Sequence, residues 1–171
     1  PWYALEYYDV TQEKMLVEQG EYRFSAGASS ADIRQELECT VSGEVIPPRN
    51  LSHSICIKNY DSKHGIEITL RFSYRKNDWY GCTNDWGGSF TFADADFAGY
   101  TKAELWAAAP CSQAGVTIYA GEQQLGSVEI LPSRSMDDFQ LYTIPLKPYT
   151  GQADLRLEIT GMASVYRIQL G

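Results

Sequence analysis

The stretch that decides the fold is Ile66-Glu67-Ile68-Thr69-Leu70-Arg71-Phe72-Ser73-Tyr74, in which apolar and polar side chains alternate without a break. A period of two places all the apolar side chains on one face, which is the pattern of a half-buried β-strand. The same alternation recurs along the rest of the chain, in Ser89-Phe90-Thr91-Phe92, Val116-Thr117-Ile118-Tyr119, Ser127-Val128-Glu129-Ile130, Leu155-Arg156-Leu157-Glu158-Ile159 and Tyr166-Arg167-Ile168-Gln169-Leu170.

Turn residues separate these runs, and helix signals are nearly absent. Glycine and proline end strands because they supply unusual backbone angles or remove a hydrogen-bond donor. Short strands at this spacing, with no helices between them, predict an all-β protein built as an antiparallel sandwich or barrel. The turn positions are Gly87-Gly88, Ala98-Gly99, Gly121, Pro132-Ser133, Gly151 and Gly161.

Composition and charge exclude several classes of function. Hydrophobic residues make up 44% of the 171 and charged residues 21%, which is enough apolar material for a packed core. The net charge of -8 repels phosphate backbones, so we expect no nucleic-acid partner.

No apolar stretch approaches the ~20 residues of a membrane helix, so no membrane partner is expected. No signal peptide is visible, and the compartment stays open, with a secreted or cell-surface location favoured over the cytoplasm.

Two prolines mark a predicted domain boundary within residues 43–50. Pro47 and Pro48 each lack a backbone donor, so this segment cannot continue a central strand. We therefore predict an N-terminal part at 1–45 and a β-sandwich at 46–171. The N-terminal part offers two strand candidates, at residues 14–17 and 22–27. Two strands alone are marginal in water, so they must pack on the main domain or be the remnant of a larger one.

The N-terminal part resembles the end of the fibronectin type III-like domain that closes family 3 glycoside hydrolases. The most specific residues are Gly27-Ala28-Ser29-Ser30-Ala31-Asp32-Ile33-Arg34, preceded by Leu5-Glu6-Tyr7-Tyr8-Asp9-Val10 and Glu18-Gln19-Gly20-Glu21-Tyr22. The resemblance covers about residues 1–38, the final strands of such a domain. It implies a two-stranded remnant and a parent enzyme of the β-glucosidase or β-xylosidase type.

Residues 51–171 resemble a family 6 carbohydrate-binding module, which is a jelly-roll β-sandwich. The order and spacing of several short segments carry this resemblance together. The segments are Ile55-Cys56-Ile57-Lys58-Asn59-Tyr60-Asp61, Phe90-Thr91-Phe92-Ala93-Asp94-Ala95-Asp96-Phe97, Gly115-Val116-Thr117-Ile118-Tyr119, Leu125-Gly126-Ser127-Val128-Glu129-Ile130-Leu131-Pro132, Phe139-Gln140-Leu141-Tyr142-Thr143, Gly151-Gln152-Ala153-Asp154-Leu155-Arg156-Leu157 and Tyr166-Arg167-Ile168-Gln169-Leu170.

This resemblance implies a sugar cleft between two aromatic walls at one end of the sandwich. One wall would be Phe139, where the family usually has Trp. The family's stacking Tyr falls near Thr83, which cannot stack, so the opposite wall would come from Trp86, Tyr80 or Trp79, with Trp86 favoured. A flat aromatic face buries the C–H face of a pyranose, while polar groups take its hydroxyls. The alternative is that the loop aromatics cap the core.

Two further positions of the family pattern differ in this chain. The ligand-binding Asn falls on Ser164, a shorter group that still donates and accepts hydrogen bonds. The carboxylates of the family's structural calcium site fall on Cys56, Lys58 and Tyr166. A lysine ammonium repels calcium and a thiol is too soft a ligand, so we predict no calcium at that site.

Cysteines and histidines give no metal or redox motif. No pair has C-x-x-C spacing and no histidine has a partner at ligand spacing, so we expect structural thiols, with one disulfide left open, and no cofactor. These residues are Cys39, Cys56, Cys82, Cys111, His53 and His64.

The sequence gives no catalytic constellation. Asp85 stands in Thr83-Asn84-Asp85-Trp86-Gly87, which resembles the segment around the catalytic Asp of family 3 glycoside hydrolases, but no barrel can be built around it. Asp137 and Asp138 adjoin Phe139, and adjacent aspartates in a turn are usually solvated. Glycoside hydrolysis needs two carboxylates flanking a cleft. We therefore expect a non-catalytic part of a glycoside hydrolase.

Three functional hypotheses follow, in order of preference. The first is a carbohydrate-binding module for β-linked plant or fungal glycan, with an oligosaccharide or polysaccharide ligand and the parent's catalytic domain as partners. The second is an accessory structural domain that has lost sugar binding and packs on that catalytic domain. The third is a free-standing lectin or adhesin module.

Overall fold

The computed structural model describes residues 2–71, 78–83 and 86–171. The chain divides into two compact units, Pro1–Pro47 and Pro48–Gly171. Phe72, Ser73 and Tyr74 of the predicted first strand lie outside the described residues, as does Asp85.

The N-terminal unit is built from two antiparallel strand pairs, where the sequence predicted one. After a 3₁₀ helix at Trp2–Leu5, β1 pairs with β2 and the long β3 pairs with β4. The strand β4 was missed because its charged residues, among them Glu36 and Glu38, hide the alternation. The bounds are β1 Tyr7–Asp9, β2 Lys14–Leu16, β3 Gly20–Ser29 and β4 Asp32–Val41.

The hairpin β3–β4 has one apolar and one polar face. Tyr22 stands opposite Cys39 and Phe24 opposite Leu37 in the strand register. On the other face the Arg23 guanidinium lies 2.9 Å from a carboxylate oxygen of Glu38. Alternation across a strand separates the two sets of side chains. The hairpin is therefore amphipathic. Such a pattern is typical of a strand pair whose apolar face packs against a second layer.

The second unit consists almost entirely of strands. One short 3₁₀ helix interrupts them at Ile57–Asn59. The strands are β5 Arg49–Asn50, β6 Ile55–Cys56, β7 Ser62–His64, β8 Ile66–Arg71, β9 Asp78–Thr83, β10 Gly88–Ala98, β11 Lys102–Ala108, β12 Ala114–Ala120, β13 Gln123–Ile130, β14 Gln140–Pro145, β15 Thr150–Thr160 and β16 Ser164–Leu170.

These strands form two sheets, each with six strands in the described residues. Sheet 1 has the order β13-β12-β15-β10-β5, with β7 also paired to β10. Sheet 2 has the order β14-β11-β16-β9-β8, with β6 also paired to β16. The pairs are antiparallel except for β5, which runs parallel to β10. The predicted all-β sandwich is confirmed.

The core lies between the two sheets and is filled by apolar side chains that alternate with outward-facing ones along the strands. Phe90, Phe92 and Phe97 of β10 are buried. The register of β10 shifts between Phe92 and Ala95, where Asp94 has a positive φ of 48°. This β-bulge adds a residue, so that Phe97 returns to the core face. Sheet 2 covers these rings with Leu105 and other buried side chains.

Among the strands of the sandwich that were not predicted, β9, β11 and β14 each have a physical reason. In β11 the core face carries Ala103, Leu105 and Ala107, and alanine is a weak strand signal. The strand β14 ends in proline. Trp79 and Tyr80 were expected in a loop, but Asp78–Thr83 form β9 in sheet 2. Glycine and aspartate, which the sequence interpretation took as loop residues, hide that strand.

The described residues also bear on the cysteine and membrane predictions. All four cysteines have free thiols. Within the described ranges, no group of three or more His, Cys, Asp or Glu side chains could hold a metal ion. Neither 3₁₀ helix in the described part of the chain is long and apolar enough to cross a membrane.

Gly81→Ala tests the packing that directs β9. A Cβ at position 81 would stand 2.1 Å from Cζ of the buried Phe90, so the ring or the strand must shift. We expect a loss of about 1–3 kcal/mol in the free energy of unfolding, measured by urea denaturation of the full chain. Gly171→Ala is the control, because its Cβ would meet only the flexible Lys102 side chain at 3.4 Å. Equal stability of the two variants would contradict the assignment.

Candidate functional site

Strand β9 presents Tyr80 on the outer face of sheet 2. Position 81 faces Phe90 and the core, so its neighbours Tyr80 and Cys82 project from the opposite face. Gly81 pairs with Val165 and Cys82 pairs with Ser164 across the sheet. Tyr80, Cys82 and Ser164 therefore share one face, and Val165 lies in the core.

A β-bulge places Tyr166 and Arg167 on that same outer face. The register between β11 and β16 shifts between Trp106 and Ala107, which leaves Tyr166 as the extra residue. The Arg167 guanidinium lies 4.5 Å from the centroid of the Tyr166 ring, and its Nη2 donates to the Tyr166 hydroxyl over 2.6 Å. The cation–π contact and the hydrogen bond fix the direction of the phenol.

Phe139 completes an aromatic cluster on sheet 2, which we define as Tyr80, Phe139, Tyr166 and Arg167. Phe139 comes from the loop between β13 and β14. Its ring stacks on Tyr166 with centroids 5.3 Å apart and planes 25° apart. It meets the ring of Tyr80 at 5.4 Å and 71°, an edge-to-face contact. Both distances lie in the range of rings in direct contact.

Direct contact between Tyr80 and Phe139 leaves no space for a sugar ring between them. Carbon atoms in contact stand about 3.5–4.0 Å apart, so two parallel walls around one pyranose stand roughly 7–8 Å apart. The two rings are closer than that and nearly perpendicular. The structure thus brings these two predicted residues together as packing partners.

Ser164 is held beneath the loop that carries Phe139. Its side chain is 0% exposed, and its hydroxyl donates to Sδ of Met136 over 3.4 Å. Thr83, at the family's stacking position, has a structural role. Its Oγ1 donates to the carbonyl of Gly161 over 2.7 Å and accepts from the amide of Ala163 over 2.9 Å. These bonds tie the end of β9 to the connection between β15 and β16.

The two tryptophans of the predicted site differ in exposure and in the face of the sheet that they occupy. Trp86 is 91% exposed, on the turn after β9. Thr83 before it bonds to the β15–β16 connection, and a Cβ at Gly87 after it would lie 2.2 Å from the Ile159 carbonyl oxygen. Trp86 is therefore displayed at the end of the sandwich near that connection. Trp79 is 40% exposed and precedes Tyr80, so it projects from the other face of β9.

The loop between β13 and β14 is fixed by its own polar groups. The Asp138 carboxylate accepts from the amide of Arg134 over 3.2 Å, and the Asp137 carboxylate accepts from Ser135 Oγ over 2.5 Å. Ser133 exchanges two hydrogen bonds with the backbone of Ala109. These aspartates therefore act as turn formers, as carboxylates in such a loop commonly do.

The positions of the family's calcium site do not fit the ion. Lys58 lies in the 3₁₀ helix, the Cys56 thiol is directed at the carbonyl of Trp79 over 3.8 Å, and the Tyr166 phenol belongs to the aromatic cluster. An ammonium, a thiol and a phenol are not the carboxylate and carbonyl donors that calcium prefers. Sequence reasoning assigned Tyr166 only to this site and missed its packing role, along with Arg167 and Met136.

The sandwich has the fold of a family 6 carbohydrate-binding module. CsCBM6-3 from Clostridium stercorarium, solved in complex with cellobiose, is 21% identical with a TM-score of 0.65, and the match covers 74% of this chain and 98% of that one. A β-1,3-glucan-binding module from Bacillus halodurans is 17% identical with a TM-score of 0.65, over 71% of this chain and 96% of that one.

The same fold occurs inside larger enzymes. A family 43 arabinoxylan arabinofuranohydrolase from Bacillus subtilis, in complex with cellotetraose, is 10% identical with a TM-score of 0.67. The match covers 85% of this chain and 32% of that enzyme. No protein-family model matches the sequence, and none of the curated proteins does. The similarity therefore lies in the fold.

Phe139→Ala tests the aromatic cluster. The substitution removes contacts with Tyr80 and Tyr166, but Phe139 is only half-buried. We expect a loss of about 1–3 kcal/mol in the free energy of unfolding, below the roughly 3–5 kcal/mol of a fully buried Phe. Trp86→Ala is the matched control and should change stability by less than about 0.5 kcal/mol. A Phe139 variant as stable as this control would show that the cluster does not pack as described.

Proposed function

We propose that the chain is a non-catalytic carbohydrate-binding module with a neighbouring remnant, and that it binds β-linked plant or fungal glycan. Trp86 is the principal sugar contact. The observation that carries the proposal is this exposed indole at the loop end of a sandwich of the carbohydrate-binding type. Phe139 on the outer face of sheet 2 and Trp79 on the other face of β9 are two further candidate contacts, while the buried Tyr80 and Ser164 pack against the loop that carries Phe139.

Stacking supplies the binding energy in this proposal. One face of a pyranose carries mostly C–H bonds, and an exposed indole offers a flat apolar surface to it. Burial of ~100 Å² of apolar surface is worth roughly 2–3 kcal/mol. The partly exposed Phe139 ring of the aromatic cluster offers a second apolar surface. Single-site binding is then weak, with Kd of about 10⁻³ to 10⁻⁵ M.

The proposal extends to a parent glycoside hydrolase of the β-glucosidase or β-xylosidase type. Residues 1–45 would be the tail and linker of its fibronectin type III-like domain. Two observations support this. The hairpin β3–β4 is amphipathic and needs a second layer, and the sandwich fold recurs within a glycoside hydrolase. The module would then hold the catalytic domain of its parent near polysaccharide.

A second candidate is an accessory structural domain without sugar binding. The packing of Phe139 on Tyr80 and the burial of Ser164 favour it, because two of the family's contact positions are occupied by internal contacts. In this reading the sandwich packs on the catalytic domain of the parent. A folded protein that binds no glycan would support it.

A titration decides between these candidates. The full chain is titrated by isothermal calorimetry with soluble β-glucans, xylan and their oligosaccharides up to several millimolar. We expect saturable binding that Trp86→Ala weakens at least tenfold, a loss of about 1.4 kcal/mol. Val45→Ala, which shortens an exposed apolar side chain in the N-terminal unit, should bind as the parent chain does.

Absence of binding across the panel, from a chain whose circular dichroism shows folded β-structure, would reject the carbohydrate-binding proposal. Binding that survives Trp86→Ala unchanged would retain the class of function but reject the principal contact. In that case the exposed part of Phe139 and the face of Trp79 become the residues to substitute.

A further inference from the structure

Trp106 lies outside the candidate site described above, on the outer face of sheet 2. It occupies β11 between Leu105 and Ala107, and both of these neighbours are fully buried in the core. Because side chains alternate along a strand, the Trp106 indole projects from the opposite face, where it is half-buried. Strand β11 pairs with β14 on one side and with β16 on the other, and all three strands are described over their whole length.

The residues beside Trp106 on this face form one apolar row and one polar row. In the strand register Leu141 of β14 stands opposite Trp106, and it is 53% exposed. The next outward position of β11 is Glu104, which is paired with Thr143 on one side and with Gln169 on the other. We define the Trp106 surface as Trp106, Leu141, Glu104, Thr143 and Gln169. All five belong to regular strands, which hold a site more precisely than loops do.

The charges on and beside the Trp106 surface are engaged within the protein. Nζ of Lys102 lies 2.9 Å from a carboxylate oxygen of Glu104. The guanidinium of Arg167, which stands opposite Trp106 in β16, lies over the Tyr166 ring and donates to its hydroxyl. The polar row therefore meets a ligand with a carboxylate, a hydroxyl and an amide, which donate and accept hydrogen bonds. This set favours a neutral ligand that carries many hydroxyl groups.

The size of the apolar row distinguishes a sugar from a protein partner. A fully covered aromatic side chain buries about 150–250 Å². The half-buried Trp106 indole and the half-exposed Leu141 together therefore leave on the order of 100 Å² of apolar surface. That area suits the C–H face of one pyranose ring. A stable protein interface needs about 800 Å² on each partner with an apolar centre, and the polar row restricts the apolar area to much less.

We propose that the Trp106 surface is an additional glycan contact, separate from Trp86, which takes one face of a neutral pyranose ring. The indole and Leu141 cover the C–H face of the ring, and the polar row meets its hydroxyls. This inference rests on the proposed carbohydrate-binding function. Trp106 exposes less of its ring than Trp86 does, so the contact is weaker than the one at Trp86, with Kd of about 10⁻² M.

The test follows the indole N–H signal of Trp106 in NMR spectra of the full chain, both unsubstituted and with Trp86→Ala, which removes the principal contact. The signal is assigned by its loss in Trp106→Phe. Cello-, laminari- and xylo-oligosaccharides of four rings are titrated to about 30 mM. In the series that binds, we expect a saturable shift of this signal that persists in Trp86→Ala. Leu141→Ala should weaken that binding about threefold, because it removes part of the apolar row.

Leu131→Ala is the matched control for Leu141→Ala. Leu131 is 60% exposed, similar to Leu141, but it follows the end of β13 in sheet 1. Shortening this side chain should leave both the shift of the Trp106 signal and the affinity unchanged.

The outcomes separate this inference from the proposed function. A saturable Trp106 shift that Leu141→Ala weakens and Leu131→Ala does not supports the inference. If the chain binds glycan while the Trp106 signal stays still, moves only when Trp86 is present, or responds equally to both leucine variants, the additional contact is rejected and the carbohydrate-binding function stands. Broadening of the signal with protein concentration alone would instead place a second copy on this face and overturn the inference. Binding in no series rejects the proposed function, and this inference with it.

Discussion

The burial of alternate side chains between two sheets is the constraint on which the rest of the sandwich depends. Phe90, Phe92 and Phe97 commit one face of β10 to the core, and Gly81 of β9 lies directly over Phe90. Because the side-chain period of a strand is two, fixing one residue fixes the face of every neighbour. Tyr80 is directed outward for this reason. The position of the candidate site is thus a consequence of core packing at the adjacent residue.

Loops on the outer face of sheet 2 then determine which side chains of this face are packed and which stay exposed. The loop between β13 and β14 is closed by its own aspartates and serines, and it lays Phe139 across Tyr80 and Tyr166. In this cluster the Phe139 ring contacts Tyr80 and Tyr166 and keeps part of its surface exposed. In the described residues, the indole of Trp86 remains the most exposed large apolar side chain of the sandwich. The exposed surface to which the proposed binding is assigned is therefore distinct from the packed cluster.

The strands that alternate strongly could be predicted from the sequence, and those with small residues could not. The segments around Phe90, Ile118 and Leu157 carry large apolar side chains at every second position, and the structure confirms them as strands. The strands β9 and β11 place glycine or alanine on the core face instead. Such small side chains bury little apolar area, so the alternation of apolar and polar residues is weak in the sequence. The space that they leave accommodates the large rings of sheet 1.

The candidate site could be predicted only in part, for a related reason. The loop aromatics near residue 80 and Phe139 stand out because such residues are expensive to expose. Their contact joins segments that are distant in sequence, and it depends on a bulge at Tyr166 that no local pattern marks. Pairwise contacts of this kind arise from the register of three strands together. Sequence reasoning therefore named Tyr80 and Phe139 but not their contact, and it missed the packing of Tyr166 and Arg167.

The low sequence identity to the similar structures reflects different constraints on the core and on the loops. At 10–21% identity the fold is shared while most side chains differ. A sandwich core accepts many apolar residues provided that volume and alternation are kept. The loops at its end are under no such constraint, so a two-walled cleft can close in one chain and stay open in another. A single exposed tryptophan is unremarkable on most proteins. Trp86 is singled out in the proposal because Thr83 before it bonds to the β15–β16 connection and Gly87 after it lies against Ile159 of β15, in a sandwich with the fold of carbohydrate-binding modules.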